Sequence, residues 1–151
     1  MEEYGVHLMK RILVATDGST GGDRALDAAC ALVKASGGEL IIVNVGQGYL
    51  DQDLEQFRKA ETACVDDILY AVSSEILTRA QTQAASQGVD KVRTFSGVGD
   101  AASYILEIAK KEQPDIVVVG KRGHGRLAGL LLGSVSQKLV SFANCKVMIV
   151  P

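Results

Sequence analysis

The sequence predicts an α/β domain built on a mostly parallel sheet with helices on both faces. Three observations carry that prediction. First, the runs Arg11-Ile-Leu-Val-Ala15, Glu39-Leu-Ile-Ile-Val-Asn-Val45 and Asp115-Ile-Val-Val-Val-Gly120 are apolar and branched almost throughout. Strands of a parallel sheet, covered on both sides, read this way. Second, every gap between strands shows helical spacing. Third, the chain alternates the two patterns strictly, with no internal repeat and no shift of composition. A length of 151 residues fits one domain, taking roughly 100–200 residues each. Residues 1–9 are assigned to an N-terminal tail and 10–151 to the domain.

Two further runs, Lys91-Val-Arg-Thr-Phe-Ser96 and Lys146-Val-Met-Ile-Val150, are shorter or more polar and fit edge strands. Ser19 or Thr20 caps a first helix with Leu26, Ala29, Cys30 and Val33 on one face and Gly37 after its end. A longer periodic stretch holds Leu54, Phe57, Cys64, Val65, Ile68, Val72, Ile76 and Ala80 and stops at Gly88. As one helix of about 34 residues it would reach ~50 Å, against ~40 Å across a globule of this size. A break is therefore expected before about Ala63, with residues 46–54 as an irregular loop. Asp100 caps a third helix through Ile105, Ile108 and Ala109, ended before Pro114. Ser134 is expected to cap a fourth through Val135, Leu139 and Val140.

The resulting order β-α-β-α-β-α-β-α-β implies right-handed crossovers. In such sheets ligands bind beyond the carboxyl ends of the strands, where the strand order reverses. The residues just after each strand are thus the ones that carry function.

Composition removes several classes of function. A hydrophobic content of 47% suits a packed core, and a formal net charge of −2 supplies no basic field for gripping nucleic acid. Cys30, Cys64 and Cys145 are far apart and odd in number, with no CxxC pair. That supports neither a disulfide framework nor a zinc site, but small core hydrophobes in a reducing cytosol. The start is acidic and no apolar run approaches the ~20 residues of a membrane span. A cytoplasmic protein without membrane or nucleic-acid partner is expected.

The sixteen glycines exceed the usual ~7%, while the two prolines fall below the usual ~5%, which argues against a linker. They concentrate in three loops. The first, Asp17-Gly18-Ser19-Thr20-Gly21-Gly22, lacks the Gly-Lys-Ser/Thr ending of a nucleotide-phosphate P-loop. Asp17 either caps the first helix or accepts hydrogen bonds from ligand hydroxyl or amino groups. The second, Gly97-Val-Gly99-Asp-Ala-Ala102, matches G-x-G-x-x-A but follows the third strand. The dinucleotide fingerprint belongs after the first strand, and Asp100 would repel a pyrophosphate from the helix start. A plain strand–turn–helix connection accounts for it, so a dehydrogenase is disfavoured.

The third loop holds Gly120, Gly123, Gly125, Gly129 and Gly133 within fourteen residues. Glycine lets backbone N–H groups approach a phosphate closely. Gly133-Ser134-Val135-Ser136 then opens the fourth helix, whose N-terminus attracts anions. Lys121, Arg122 and Arg126 add three cations. Together they describe a phosphate cradle after a central strand, and Ser136 joins the candidate binding set.

The spacing Gly120-xx-Gly123, nine residues, Gly133-Ser134 resembles the G-2x-G-9x-G-S/T motif of the universal stress protein family, in its ATP-binding branch. The opening Ile-Leu-Val-Ala-Thr-Asp17-Gly-Ser and the ending Cys145-Lys-Val-Met-Ile-Val-Pro151 are similar to that family too, so the resemblance spans essentially the whole chain. It implies a Rossmann-like, adenine nucleotide alpha hydrolase-like sheet in the order 3-2-1-4-5, with Asp17 and Gly120 facing one crevice. It also implies adenosine against Ala15, Asp17 and Val45, with Val119, Gly120, Gly123, Gly133, Ser134 and Val135 around ribose and phosphates. Three positions depart from the family pattern: Ala15 and Lys146, each where proline is frequent, and Asn44, where histidine is common.

Catalysis finds little support. His7 and His124 are the only histidines, and no HExxH, G-x-S-x-G or paired-carboxylate spacing occurs. His124 either touches a phosphate or stays solvated. The leading expectation is a nucleotide-dependent regulatory or stress-response protein that binds ATP, or AMP or ADP, with or without Mg²⁺. The alternatives are a weak ATPase or nucleotidyl-transfer enzyme, and a stress scaffold that binds no nucleotide. The last strand, residues 147–150, would leave an exposed apolar edge. The family resemblance implies that it pairs across a two-fold axis, giving a homodimer. Leu127, Leu130, Leu131 and Leu132 either help to cover that surface or pack locally.

Overall fold

Five strands and, among the described residues, four helices alternate along the chain. They are β1 (Arg11–Ala15), α1 (Thr20–Ser36), β2 (Glu39–Gly46), α2 (Thr62–Ser86), β3 (Val92–Val98), α3 (Ala101–Glu112), β4 (Ile116–Gly120), α4 (Ser134–Phe142) and β5 (Lys146–Val150). The structure, a computed structural model, describes residues 9–46, 62–121 and 132–151. All neighbouring strands are parallel and stand in the order β3-β2-β1-β4-β5. This is the predicted order, with the two more polar strands at the edges.

The central strands are buried on both sides, and side chains alternate between two cores. Ile12, Val14, Leu40, Ile42, Ile116 and Val118 pack under α1 and α2. Leu13, Ala15, Ile41, Val43, Val45, Val117 and Val119 pack under α3 and α4. Cys30 lies in the first core, where burial, with help from Asp27, pushes its thiol up to about 11. It stays protonated and acts as a small hydrophobe. Cys145 is half-buried, and Cys64 has no described side-chain environment. No helix among the described residues is long and apolar enough to cross a membrane.

Helix boundaries follow local chemistry. Ser19 caps α1 by accepting the Gly22 N–H, and Gly37 ends it in a left-handed turn at φ 74°. Asp100 caps α3, and Gln113 takes the left-handed position before Pro114. The described part of α2 begins at Thr62, and the expected break and the loop after Gly46 fall on residues 47–61, which lie outside the described residues.

Several expectations are corrected. Gly46, assigned to a loop, is the last residue of β2 and pairs with Val98. The third strand runs past Ser96 through Gly97 and Val98, so part of the second glycine loop is strand. The buried face of α2 is rotated from the expected one: Leu69, Ser73, Leu77, Ala80 and Ala84 are buried, whereas Ile68 is 55% and Val72 42% exposed. Ser73 fits that face because its hydroxyl meets the Ser96 hydroxyl at 2.8 Å. In α4, Leu139 is buried but Val140 is exposed. The N-cap of α4 is Gly133, not Ser134, with Gly133 in extended conformation and its carbonyl accepting from Gln137 N–H at 3.0 Å.

Candidate functional site

The chain leaves β1 toward β2 and β3 on one side, and β4 begins on the other. The strand order therefore reverses between β1 and β4, whose register pairs Ala15 with Val119. The crevice expected in such sheets lies beyond this pair. Two turns meet there.

The first, between β1 and α1, is tied down at several points. Thr16 N–H donates to Val43 O at 3.0 Å, extending the sheet by one bond. The Thr16 hydroxyl accepts from Gly18 N–H at 3.2 Å. A Cβ on Gly22 would stand 2.5 Å from that same oxygen, so only glycine admits this approach. Asp17 accepts from Ser19 N–H at 2.9 Å and from the Ser19 hydroxyl. Ser19, not Asp17, caps α1, and Asp17 orients the capping serine. From across the molecule, Arg79 of α2 donates to Gly18 O at 2.8 Å and lies 3.6 Å from Asp23.

The second turn follows β4. Lys121 N–H donates to Val150 O at 2.7 Å, and Gly133 N–H donates to Lys121 O at 3.0 Å. The Ser136 hydroxyl donates to Gly120 O at 2.9 Å and more weakly to Lys121 O at 3.3 Å. These bonds bring the start of α4 back against the end of β4. Because its N-cap is a glycine, the cap residue supplies no side-chain hydrogen bond, and no side chain among the described residues caps the α4 N-terminus. Its first N–H groups and its dipole favour an anion there. Lys121 is half-buried at the same place.

Ala15, Val45, Val119 and Gly120 are buried at the strand ends, and Asp17, Lys121, Gly133 and Val135 are half-buried. Ser134 is exposed on the first turn of α4, and Ser136 is 2% exposed, its hydroxyl committed to the turn. Arg122, Gly123 and Arg126, together with His7, His124, Leu127, Leu130 and Leu131, lie outside the described residues.

The other glycine loop is built differently. Asp100 accepts from Ser103 N–H at 2.9 Å and from the Ser103 hydroxyl at 2.6 Å, so α3 carries its own anion. Those bonds, the hydroxyl's first, hold the Asp100 carboxyl below the usual carboxylate range. Gly97 is required for packing: a Cβ there would stand 2.6 Å from the Tyr104 ring, whose hydroxyl donates to Ser96 O at 2.9 Å. The strand–turn–helix reading of this loop holds.

Sequence spacing gave no sign of Thr16, Arg79 or the Asn44 contact. Asn44 Nδ2 donates to Thr16 O at 2.7 Å from a residue only 2% exposed. The one available signal was a polar residue inside an apolar run.

A five-stranded parallel sheet in this order, with its switch point between β1 and β4, defines a Rossmann-like fold. Residues 9–151 match the model of the universal stress protein family, and the chain belongs to that family. It is 36% identical over 148 residues to universal stress protein YxiE of Bacillus subtilis, covering 95% of this chain and 99% of that protein. Among solved structures, MJ0577 superposes with a TM-score of 0.78 at 24% identity, covering 95% of this chain and 96% of that one, which shows the fold. A universal stress protein solved in complex with cAMP superposes with a TM-score of 0.67 at 27% identity, covering 95% of this chain and 97% of that one.

Proposed function

We propose that this universal stress protein binds an adenine nucleotide, ATP in the first place, between the β1–α1 and β4–α4 turns. In this reading the nucleotide regulates the protein and is not turned over as substrate. The observation that carries the proposal is the start of α4. It is an N-terminus capped by a glycine, with no side-chain cap among the described residues, folded back onto Gly120 and Lys121 at the switch point of the sheet. A triphosphate supplies the negative charge that this position favours. Ala15, Asp17 and Val45 would face the adenosine, and Val119, Gly120, Gly133, Ser134 and Val135 the ribose and phosphates. Lys121, Arg122 and Arg126 would offset phosphate charge, and Gly123 would keep the loop backbone close. Ser136 supports the site by holding Gly120. The cAMP bound by a structural relative is consistent with an adenine-nucleotide ligand.

A homodimer through residues 147–150 completes the reading. Among the described residues β5 pairs only with β4, and 147–150 are half-buried along that edge. The bond from Lys121 N–H to Val150 O would place such an interface one residue from the cradle. The proposed setting is the cytoplasm.

Mass spectrometry of copurifying small molecules, followed by ATP titration of the wild type and Gly123→Val, tests the assignment. A copurified adenine nucleotide and ATP binding at least about tenfold weaker in the variant are expected. Equal affinity in both proteins, or no binding by either, overturns it.

A further inference from the structure

The β1–β2 ladder ends at Ala15–Val43, one pair short of the Thr16–Asn44 pair that its register would give next. The last registered pair is Ala15 with Val43, and Thr16 N–H still donates to Val43 O at 3.0 Å. In a parallel ladder the next bond would run from Val45 N–H to Thr16 O. Thr16 O instead accepts from Asn44 Nδ2 at 2.7 Å. The orientation of Val45 follows from the strand. Leu40 N–H points to β3, where it donates to Lys91 O, while Val43 O points to β1. Backbone polar groups alternate in direction along a strand, so Val45, two residues after Val43, turns its N–H and C=O toward β1. It does so just beyond the last registered pair, Ala15 with Val43.

The amide of Asn44 is also unbalanced. Its donor is used, but its Oδ1 is buried without a hydrogen-bond partner among the described residues. Its neighbours on the same sheet face are Ser96, its register partner, and Ser73, and their hydroxyls are bonded to each other. A buried acceptor without a partner lowers stability, and a leucine, with the same branched arrangement of heavy atoms, would avoid that cost. The contribution that sets asparagine apart at this position is its donor to Thr16 O.

We propose that Asn44 is a positioning residue: by occupying Thr16 O it ends the β1–β2 ladder and leaves the Val45 main chain facing the crevice, available to the base of a bound nucleotide. The second half of this statement rests on the adenine-nucleotide reading above; the first does not.

The test compares wild type with Asn44→Leu by ATP titration, thermal unfolding and amide hydrogen exchange at Val45. Expected for the variant are ATP affinity about tenfold weaker, an undiminished Tm, and slower exchange at Val45 as its N–H joins the ladder. ATP affinity equal to wild type overturns the proposal, as does a lowered Tm with Val45 exchange unchanged. If the wild type binds no ATP, the nucleotide reading fails separately. Val45 exchange then decides: slower in the variant upholds the ladder-ending role, and unchanged exchange overturns it. Should Asn44→Leu not fold, Asn44→Ala takes its place in the same measurements.

Discussion

Two glycine-containing turns, each running from a strand into a helix, do opposite things in this protein. At Gly97–Gly99 the helix start is filled from within, because Asp100 places a carboxylate over the first turn of α3 and bonds Ser103 twice. At Gly120–Gly133 the helix start is brought against the end of β4 and given a cap with no side chain. In sequence the first looks more like a nucleotide fingerprint than the second. The carboxylate decides between them: a helix N-terminus that carries its own anion has little attraction left for a phosphate, and one capped by glycine keeps it.

The largest effect should come from the packing glycine. Gly97→Ala places a Cβ 2.6 Å from the Tyr104 ring. The ring is held by the Tyr104 hydroxyl bond to Ser96 O and has little room to retreat. A loss of about 2–3 kcal/mol in urea unfolding is expected, with ATP affinity unchanged in the folded fraction. A loss of ATP affinity at constant stability would instead make Gly97 part of a binding site and erase the contrast.

Next is the exchange of roles at α4. Gly133 has φ −71° and ψ 167°, a backbone that aspartate adopts readily, so Gly133→Asp gives α4 the cap that α3 has. Stability without ligand should rise by a few tenths of a kcal/mol, while ATP affinity falls by at least about tenfold. Calorimetric titration alongside unfolding reads both signs at once. Unaltered ATP affinity would place the phosphates elsewhere. The reciprocal change, Asp100→Ala, should cost about 1 kcal/mol of stability and leave ATP affinity as it was.

Much of this architecture is legible in the chain, for reasons that differ by element. β1 and β4 are readable because burial on both faces forces a continuous apolar run. The caps at Ser19 and Asp100 are readable because a short polar side chain must sit beside the residues it caps. The face of α2 is misread because periodicity counts apolar residues, and Ser73 is buried through a hydroxyl bond that no hydropathy pattern records. The Arg79 and Asn44 contacts join residues 61 and 28 positions apart, and no spacing rule reaches so far. At the candidate site, the glycines and the helix start were visible as a motif. The way Ser136 and Lys121 hold them together becomes visible only once β4, β5 and α4 are placed side by side.

The smallest effect separates the charge of the α3 cap from its shape. Asparagine can accept the same Ser103 bonds as Asp100 without a charge, so Asp100→Asn isolates the contribution of the anion to the helix start. Hydrogen bonds from Ser103, its hydroxyl first, lower the Asp100 carboxyl below its ordinary value in the folded protein. A folded-state pKa lying under the unfolded one stabilises the fold above the ordinary carboxylate range. That contribution fades as pH falls through the range toward the folded value. The site is largely exposed and Lys138 lies 3.5 Å away on the surface, so screening keeps the term to a few tenths of a kcal/mol. Wild type should therefore exceed Asp100→Asn slightly at pH 7, and the gap should close below about pH 4 in unfolding curves. A gap that stays constant with pH would mean that the cap acts through geometry alone, and that the contrast with α4 rests on occupied N–H groups and not on charge.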